Sequence, residues 1–211
     1  MYHTLKKRLT KSNKKSNTLK NNNNSINNKF IIHISGSSGV GKTTLGNKLQ
    51  KKFGNKIIVK DTDDLITEFA NGNYENFDAI KYQKFINNFI NKQNVPIIFV
   101  GLNNGGWGLN NKPYNMYSKY NFYITLDKNI IFVQRCKRFL QNYALNNEKI
   151  FYNDLITNPK IFNSKIKDAC NYNLIMSQIN KWDNYHKKHK FLFIPREQIF
   201  TEVSKILNNY L

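Results

Sequence analysis

At 211 residues the chain is long enough to bury a full core without a disulfide or metal staple. Apolar residues make up 40% and charged residues 22%, a globular balance, and no apolar run reaches the ~18–20 residues that a membrane-spanning helix needs. The two cysteines, Cys136 and Cys170, form no C-x-x-C, so a disulfide scaffold and a cysteine zinc site are not expected and a reduced, cytoplasmic compartment is.

The formal charge is +20, from 33 basic and 13 acidic residues. Such a charge points to nucleic acid or an anionic surface. Two features reduce its weight. Residues 1–29 hold eight basic and no acidic residues, and so supply +8 of the total. The composition is also skewed throughout, with 36 Asn and 29 Lys against four Arg. These are residues of AT-rich codons, so lysine carries little information about a partner. The scarce Arg8, Arg135, Arg138 and Arg196 carry more.

Residues 1–29 read as a basic, Asn-rich tail that cannot bury enough apolar surface to offset its ordering entropy. An acid-free basic N-terminus is also the composition of an organelle transit peptide. Residues 30–211 read as the folded domain. The run from Phe30 to Ser35 is a buried strand. A glycine-rich turn follows, then a helix from Thr43 to Phe53 with Gly54 as its stop. Lys56 to Lys60 is a second strand and Leu65 to Ala70 a short helix. A longer helix spans Phe77 to Ile90, with Ile80, Phe85, Phe89 and Ile90 on its apolar side. Pro96 to Val100 is a third strand, running into a loop with Gly101, Gly105, Gly106 and Gly108. Tyr120 to Leu126 is a fourth strand, Asn129 to Leu145 a helix, and Lys190 to Ile194 a fifth strand before a closing helix from Glu197 to Leu207. Between Asn146 and Lys190 the apolar spacing indicates helices without locating them. Alternating strands and helices imply an α/β fold with a parallel sheet covered on both faces.

Gly36-Ser37-Ser38-Gly39-Val40-Gly41-Lys42-Thr43 matches G-x-x-x-x-G-K-[ST] at every fixed position. Glycines let a loop wrap inward so that several N–H groups face one anion, and the following helix adds its positive end. Lys42 would reach the β- and γ-phosphates, Thr43 would ligate Mg²⁺, and Thr44 closes the nucleotide-binding run from Gly36. The position between a strand and a helix is where a phosphate loop must sit. ATP and Mg²⁺ are therefore the expected cofactors.

Asp61, Asp63 and Asp64 fall within four positions just past the second strand. In an open parallel sheet, ligands bind beyond the carboxyl ends of the strands. The cluster reads either as a metal- and acceptor-binding group or as a helix start, with Thr62 or Asp63 as the cap. Arg135 and Arg138, three apart on one helix, read either as arginines closing over phosphates or as surface ion pairs. His186 and His189 lack a third metal ligand and read as a solvated helix end.

A phosphate loop followed about twenty residues later by D-x-D resembles the small P-loop kinases, the shikimate and gluconate kinases and, more distantly, nucleoside and nucleotide kinases. The resemblance is specific over Phe30 to Ala70 and holds beyond that at the level of element order. It implies a three-layer P-loop NTPase fold, a five-stranded parallel sheet of order 2-3-1-4-5, and a helical lid. It assigns Asp61 to Mg²⁺, Asp63 to the acceptor hydroxyl, and Arg135 and Arg138 to the lid. Arg196 follows the fifth strand, where the resemblance to the small P-loop kinases implies a contact to the nucleotide base. No arginine lies between Arg8 and Arg135, which departs from shikimate kinases. The third strand runs into Gly101-Leu102-Asn103-Asn104 without an acidic residue, which counts against a motor ATPase. The expected activity is transfer of phosphoryl from ATP to a small-molecule acceptor, with a nucleoside or nucleotide as first choice. The alternatives are an NTPase working with a protein or nucleic-acid partner and a polynucleotide end kinase, which the basic tail would suit.

Overall fold

In the computed structural model, the described residues are 26, 28–71, 78–102 and 115–211. Five strands form one parallel sheet of order β2-β3-β1-β4-β5: β1 (Ile31–Gly36), β2 (Ile58–Asp61), β3 (Ile97–Val100), β4 (Tyr120–Thr125) and β5 (Leu192–Pro195). The register pairs Ile58 with Ile97 and Asp61 with Val100, and Phe122 with Leu192 and Ile124 with Ile194. That order is the one that the resemblance to small P-loop kinases implies. Every residue of β1 and β3 is buried, which is why these strands read as unbroken apolar runs.

The chain divides into two compact units, Met1–His33 with Phe53–Tyr120, and Ile34–Lys52 with Asn121–Leu211. The first holds β2, β3, α2 (Thr62–Ala70) and α3 (Ala79–Lys92). Its core gathers Ile31, Leu65, Ile86, Ile97 and Phe99 around the fully buried Tyr82. On α3 the buried stripe is Tyr82, Ile86 and Ile90 at helical spacing, whereas Ile80, expected on the apolar side, is 71% exposed. The helix starts at Ala79 because the Asp78 carboxylate caps it, accepting from the N–H groups of Ile80 and Lys81. Ile26, inside the stretch read as a tail, is buried in this core, and Lys29 donates to the Gln93 carbonyl at 2.6 Å. Packing therefore begins upstream of Phe30. Residues 1–25 and 27 lie outside the described residues.

The second unit contains α1 (Lys42–Phe53), β4, α4 (Lys128–Asn146), α5 (Glu148–Thr157), α6 (Pro159–Ala169), α7 (Tyr172–Lys188), β5 and α8 (Arg196–Tyr210). Helices α5, α6 and α7 occupy the stretch that the sequence left unplaced. Leu45 and Leu49 of α1 and Ile199, Val203 and Leu207 of α8 are buried at helical spacing. Among the described residues no helix is long and apolar enough to cross a membrane.

Candidate active site

The segment after β1 turns at once into α1. Gly39 and Gly41 hold φ values of +93° and +92°, a region that costs a residue with a side chain but not glycine. Gly36 closes β1, and a Cβ there would lie 2.8 Å from Val40 Cγ2. Val40 is fully buried and anchors the loop, while Ser38 is exposed. Lys42, the first residue of α1, folds back so that its ammonium donates to the carbonyls of Gly36 at 2.7 Å and Ser37 at 3.1 Å. Thr43 and Thr44 follow with exposed side chains. Strand, glycine turn, lysine and helix start thus concentrate positive charge and backbone dipole at one place.

Two arginines predicted from the sequence pack on this loop. A Cβ placed on Gly41 would lie 3.5 to 3.6 Å from the guanidinium of Arg196, the first residue of α8. A Cβ on Gly39 would lie 3.4 Å from Arg135 Cγ. Arg135 is half-buried and donates to Gln178 Oε1 at 2.9 Å, whereas Arg138, one helical turn on, is exposed. Burial holds the Arg135 guanidinium below its ordinary range. Gln134, which the sequence did not single out, ties these parts together. With its side-chain amide turned to satisfy both neighbours, the nitrogen donates to the Gly39 carbonyl and the oxygen accepts from Arg196 Nη1 at 3.1 Å. Beside the loop is a cavity of about 510 Å³ lined by Gly41, Thr44, Lys48, Ile124, Arg196 and Phe200.

Under the loop lie Tyr123 and Asp183, which the sequence did not single out, and His186, which it placed in solvent. Tyr123 on β4 meets the Ser37 hydroxyl at 3.0 Å and donates to Asp183 Oδ1 at 2.8 Å. His186 meets Ser35 Oγ at 2.7 Å. His186, expected at a solvated helix end, is fully buried. Ile175, Ile179 and His186 are the buried residues of α7, with Trp182 filling the step between them, so the histidine continues an apolar stripe.

In the first unit, Asp61, Asp63 and Asp64 sit where β2 passes into α2. The cap of α2 is Asp61, not Thr62 or Asp63: its backbone is extended (φ −74°, ψ 136°) and Oδ1 accepts from Asp63 N at 3.0 Å. Asp63 and Asp64 are exposed in the first turn, where the helix dipole favours negative charge. Thr62 is buried, and a Cβ placed on Gly101 would lie 1.9 Å from its Oγ1. Only glycine therefore fits just past β3. The Gly101 carbonyl accepts from His33 Nε2 at 2.9 Å. Gly105, Gly106 and Gly108 of the same loop, with Trp107, lie outside the described residues.

Over 131 residues the chain is 33% identical to cytidine diphosphoramidate kinase of Campylobacter jejuni subsp. jejuni serotype O:2, a span covering 58% of this chain and 75% of that protein. The chain belongs to the family of that kinase. Phosphotransferase is therefore its class of activity, which agrees with the kinase resemblance of the loop and the D-x-D. No protein-family profile matches the chain. Among solved structures, the crystal structure of APE1195 aligns at 18% identity with a TM-score of 0.35, over 72% of this chain and 97% of that one.

Proposed function

We propose that the chain transfers the γ-phosphoryl group of ATP, bound as its Mg²⁺ complex, to a small nucleotide-like acceptor. The observation that carries this reading is the Gly36–Thr43 loop at the start of α1, with Lys42 held at its mouth, in a member of a kinase family. The loop takes the triphosphate: Lys42 exchanges its two carbonyl partners for β- and γ-phosphate oxygens, and the backbone from Gly36 to Thr44 lines the anion. The cavity beside Gly41 and Arg196 takes the nucleoside.

The donor set suits Mg²⁺, which prefers hard oxygen and at kinase sites uses one or two side chains plus phosphates and water. The exposed Thr43 hydroxyl and the Asp61 carboxylate are the residues proposed to hold it. Asp63 is proposed to orient the acceptor hydroxyl and take its proton late in transfer. Arg135 is proposed to neutralise charge on the transferring group, with Arg138 joining it when α4 closes as a lid and excludes water. The relative's name gives cytidine diphosphoramidate as its acceptor. That compound, and cytidine nucleotides generally, are the first candidates here.

The test is a panel of acceptors with Mg-ATP: cytidine diphosphoramidate, nucleosides, nucleoside monophosphates, sugars and DNA 5′ ends. ADP release and phosphorylated product are followed together. Stoichiometric transfer to a small acceptor is the expected result. ADP formed only with free phosphate would replace the kinase reading with an NTPase, and transfer to DNA ends alone would replace it with a polynucleotide kinase.

A further inference from the structure

Two serines flank Gly36, and both side chains are buried and engaged. Ser35 is fully buried and Ser37 is 2% exposed. Donors and acceptors can be assigned around them. The His186 Nδ1 lies 2.7 Å from the Trp182 carbonyl, which can only accept. Nδ1 therefore carries the hydrogen, and Nε2 accepts from Ser35. Tyr123 gives its one hydrogen to the Asp183 carboxylate. Its oxygen therefore accepts from Ser37. Both loop serines are donors, one on each side of Gly36.

The groups that receive these hydrogens are held rigidly. Asp183 and His186 lie three residues apart on α7, and so on one face. The Tyr123 ring packs against His186 at 4.3 Å and Phe193 at 4.7 Å between centroids, which keeps its hydroxyl from swinging away. Lys128 stands 3.7 Å from the Asp183 carboxylate and keeps a positive charge beside it. The result is a strut running from α7 through β4 to the base of the loop.

We propose that Tyr123, oriented by Asp183, is a positioning residue that holds the base of the nucleotide loop in its binding shape through Ser37. The inference rests on the reading of that loop as the ATP site. Its physical content is pre-organisation: a loop ordered by the fold does not draw its ordering cost from the binding energy of the ligand. Ser37 is thereby a residue whose side chain faces the protein, leaving only its backbone to the phosphates.

The test compares wild type, Tyr123→Phe, Ser37→Ala and the double variant. Each is measured for kcat, for KM with ATP and with the acceptor, for direct Mg-ATP affinity by calorimetry, and for melting temperature. Losing a buried hydrogen bond is worth about tenfold in an equilibrium. The KM for ATP is expected to rise about tenfold in each single variant, with kcat and the acceptor KM nearly unchanged. Because both substitutions break one contact, the double variant should be no worse than either single one. An unchanged ATP KM in folded Tyr123→Phe overturns the inference, as does a loss of melting temperature alone or a double variant whose losses add. If Tyr123→Phe does not fold, Ser37→Ala alone decides: its ATP KM rises, or the strut has no role in binding. Wild type that binds no Mg-ATP sinks the loop assignment and this inference together. Wild type that binds it while Tyr123→Phe binds equally well sinks this one only.

Discussion

Lowering the pH should weaken the fold through one buried ring. His186 is fully buried, and burial, its largest cause, holds the imidazole down to about 4 from its ordinary 6.5. The bond to the Trp182 carbonyl and the Asp183 carboxylate act in the opposite direction, and the positive charges of His189 and Lys42 add to the lowering. Between about 4 and 6.5 the unfolded chain binds a proton at this ring and the folded chain does not. Stability is therefore full above 6.5, falls as the pH drops through that window, and stops falling below about 4. A lowering from 6.5 to about 4 amounts to about 3 kcal/mol, most of it lost between roughly pH 7.5 and 4.5. The assay is urea unfolding of wild type and His186→Gln at both pH values. Glutamine can still donate and accept here but does not titrate. Carboxylates shift equally in both proteins, so the difference between the two pH effects isolates the histidine. Equal pH dependence in wild type and variant would refute the reasoning.

Lys42→Ala should abolish phosphoryl transfer and weaken Mg-ATP binding while leaving the melting temperature near wild type, because its ammonium bonds the loop carbonyls of Gly36 and Ser37 and its side chain adds nothing to the apolar core; normal turnover would remove the loop assignment. Asp63→Asn should lower kcat by ~10²–10⁴-fold with ATP affinity retained, as expected when a general base is lost. Asp61→Asn should leave stability nearly unchanged, since asparagine caps a helix as well as aspartate, but should raise the Mg²⁺ concentration needed for half-maximal rate; a variant that transfers normally at low Mg²⁺ would show that Asp61 is only a cap. Gly101→Ala should destabilise by about 2–3 kcal/mol in denaturant unfolding, because its Cβ would meet Thr62 Oγ1 at 1.9 Å with φ at +135°. Adding Thr62→Ala should recover part of that loss, and no recovery would place the strain elsewhere.

Much of the candidate site was readable because its demands are local. A phosphate loop needs glycines, a lysine and a helix start within eight residues, and Gly36 to Thr43 supply them in a row. The placement of Asp61 and Asp63 at the carboxyl end of β2 was readable from the apolar run that precedes them. Whether Asp61, Thr62 or Asp63 caps α2 depends on one pair of backbone angles at Asp61. The contacts under the loop were not readable. Ser35 meets His186 151 positions away, and Tyr123 meets Asp183 60 positions away. Arg135 and Arg138 look equivalent in the sequence, yet only Arg135 is half-buried against the loop.

The order of strands and helices was set by the sequence wherever burial follows a simple period. Strands β1 and β3 are buried at every residue, and α1 and α8 bury one stripe each, so apolar spacing alone marks them. The same logic fails over residues 146–190. On α5 the one buried residue is Asp154, while Ile150, Tyr152, Leu155 and Ile156 are exposed. The carboxylate is buried because Tyr143 and Lys165 both donate to it, partners that lie 11 positions to either side. Hydrophobic period identifies an element only when apolar side chains are the ones that leave water. Where a paired charge is buried instead, or where a serine meets a histidine from the far end of the chain, the deciding energy belongs to contacts that exist only once the chain has folded.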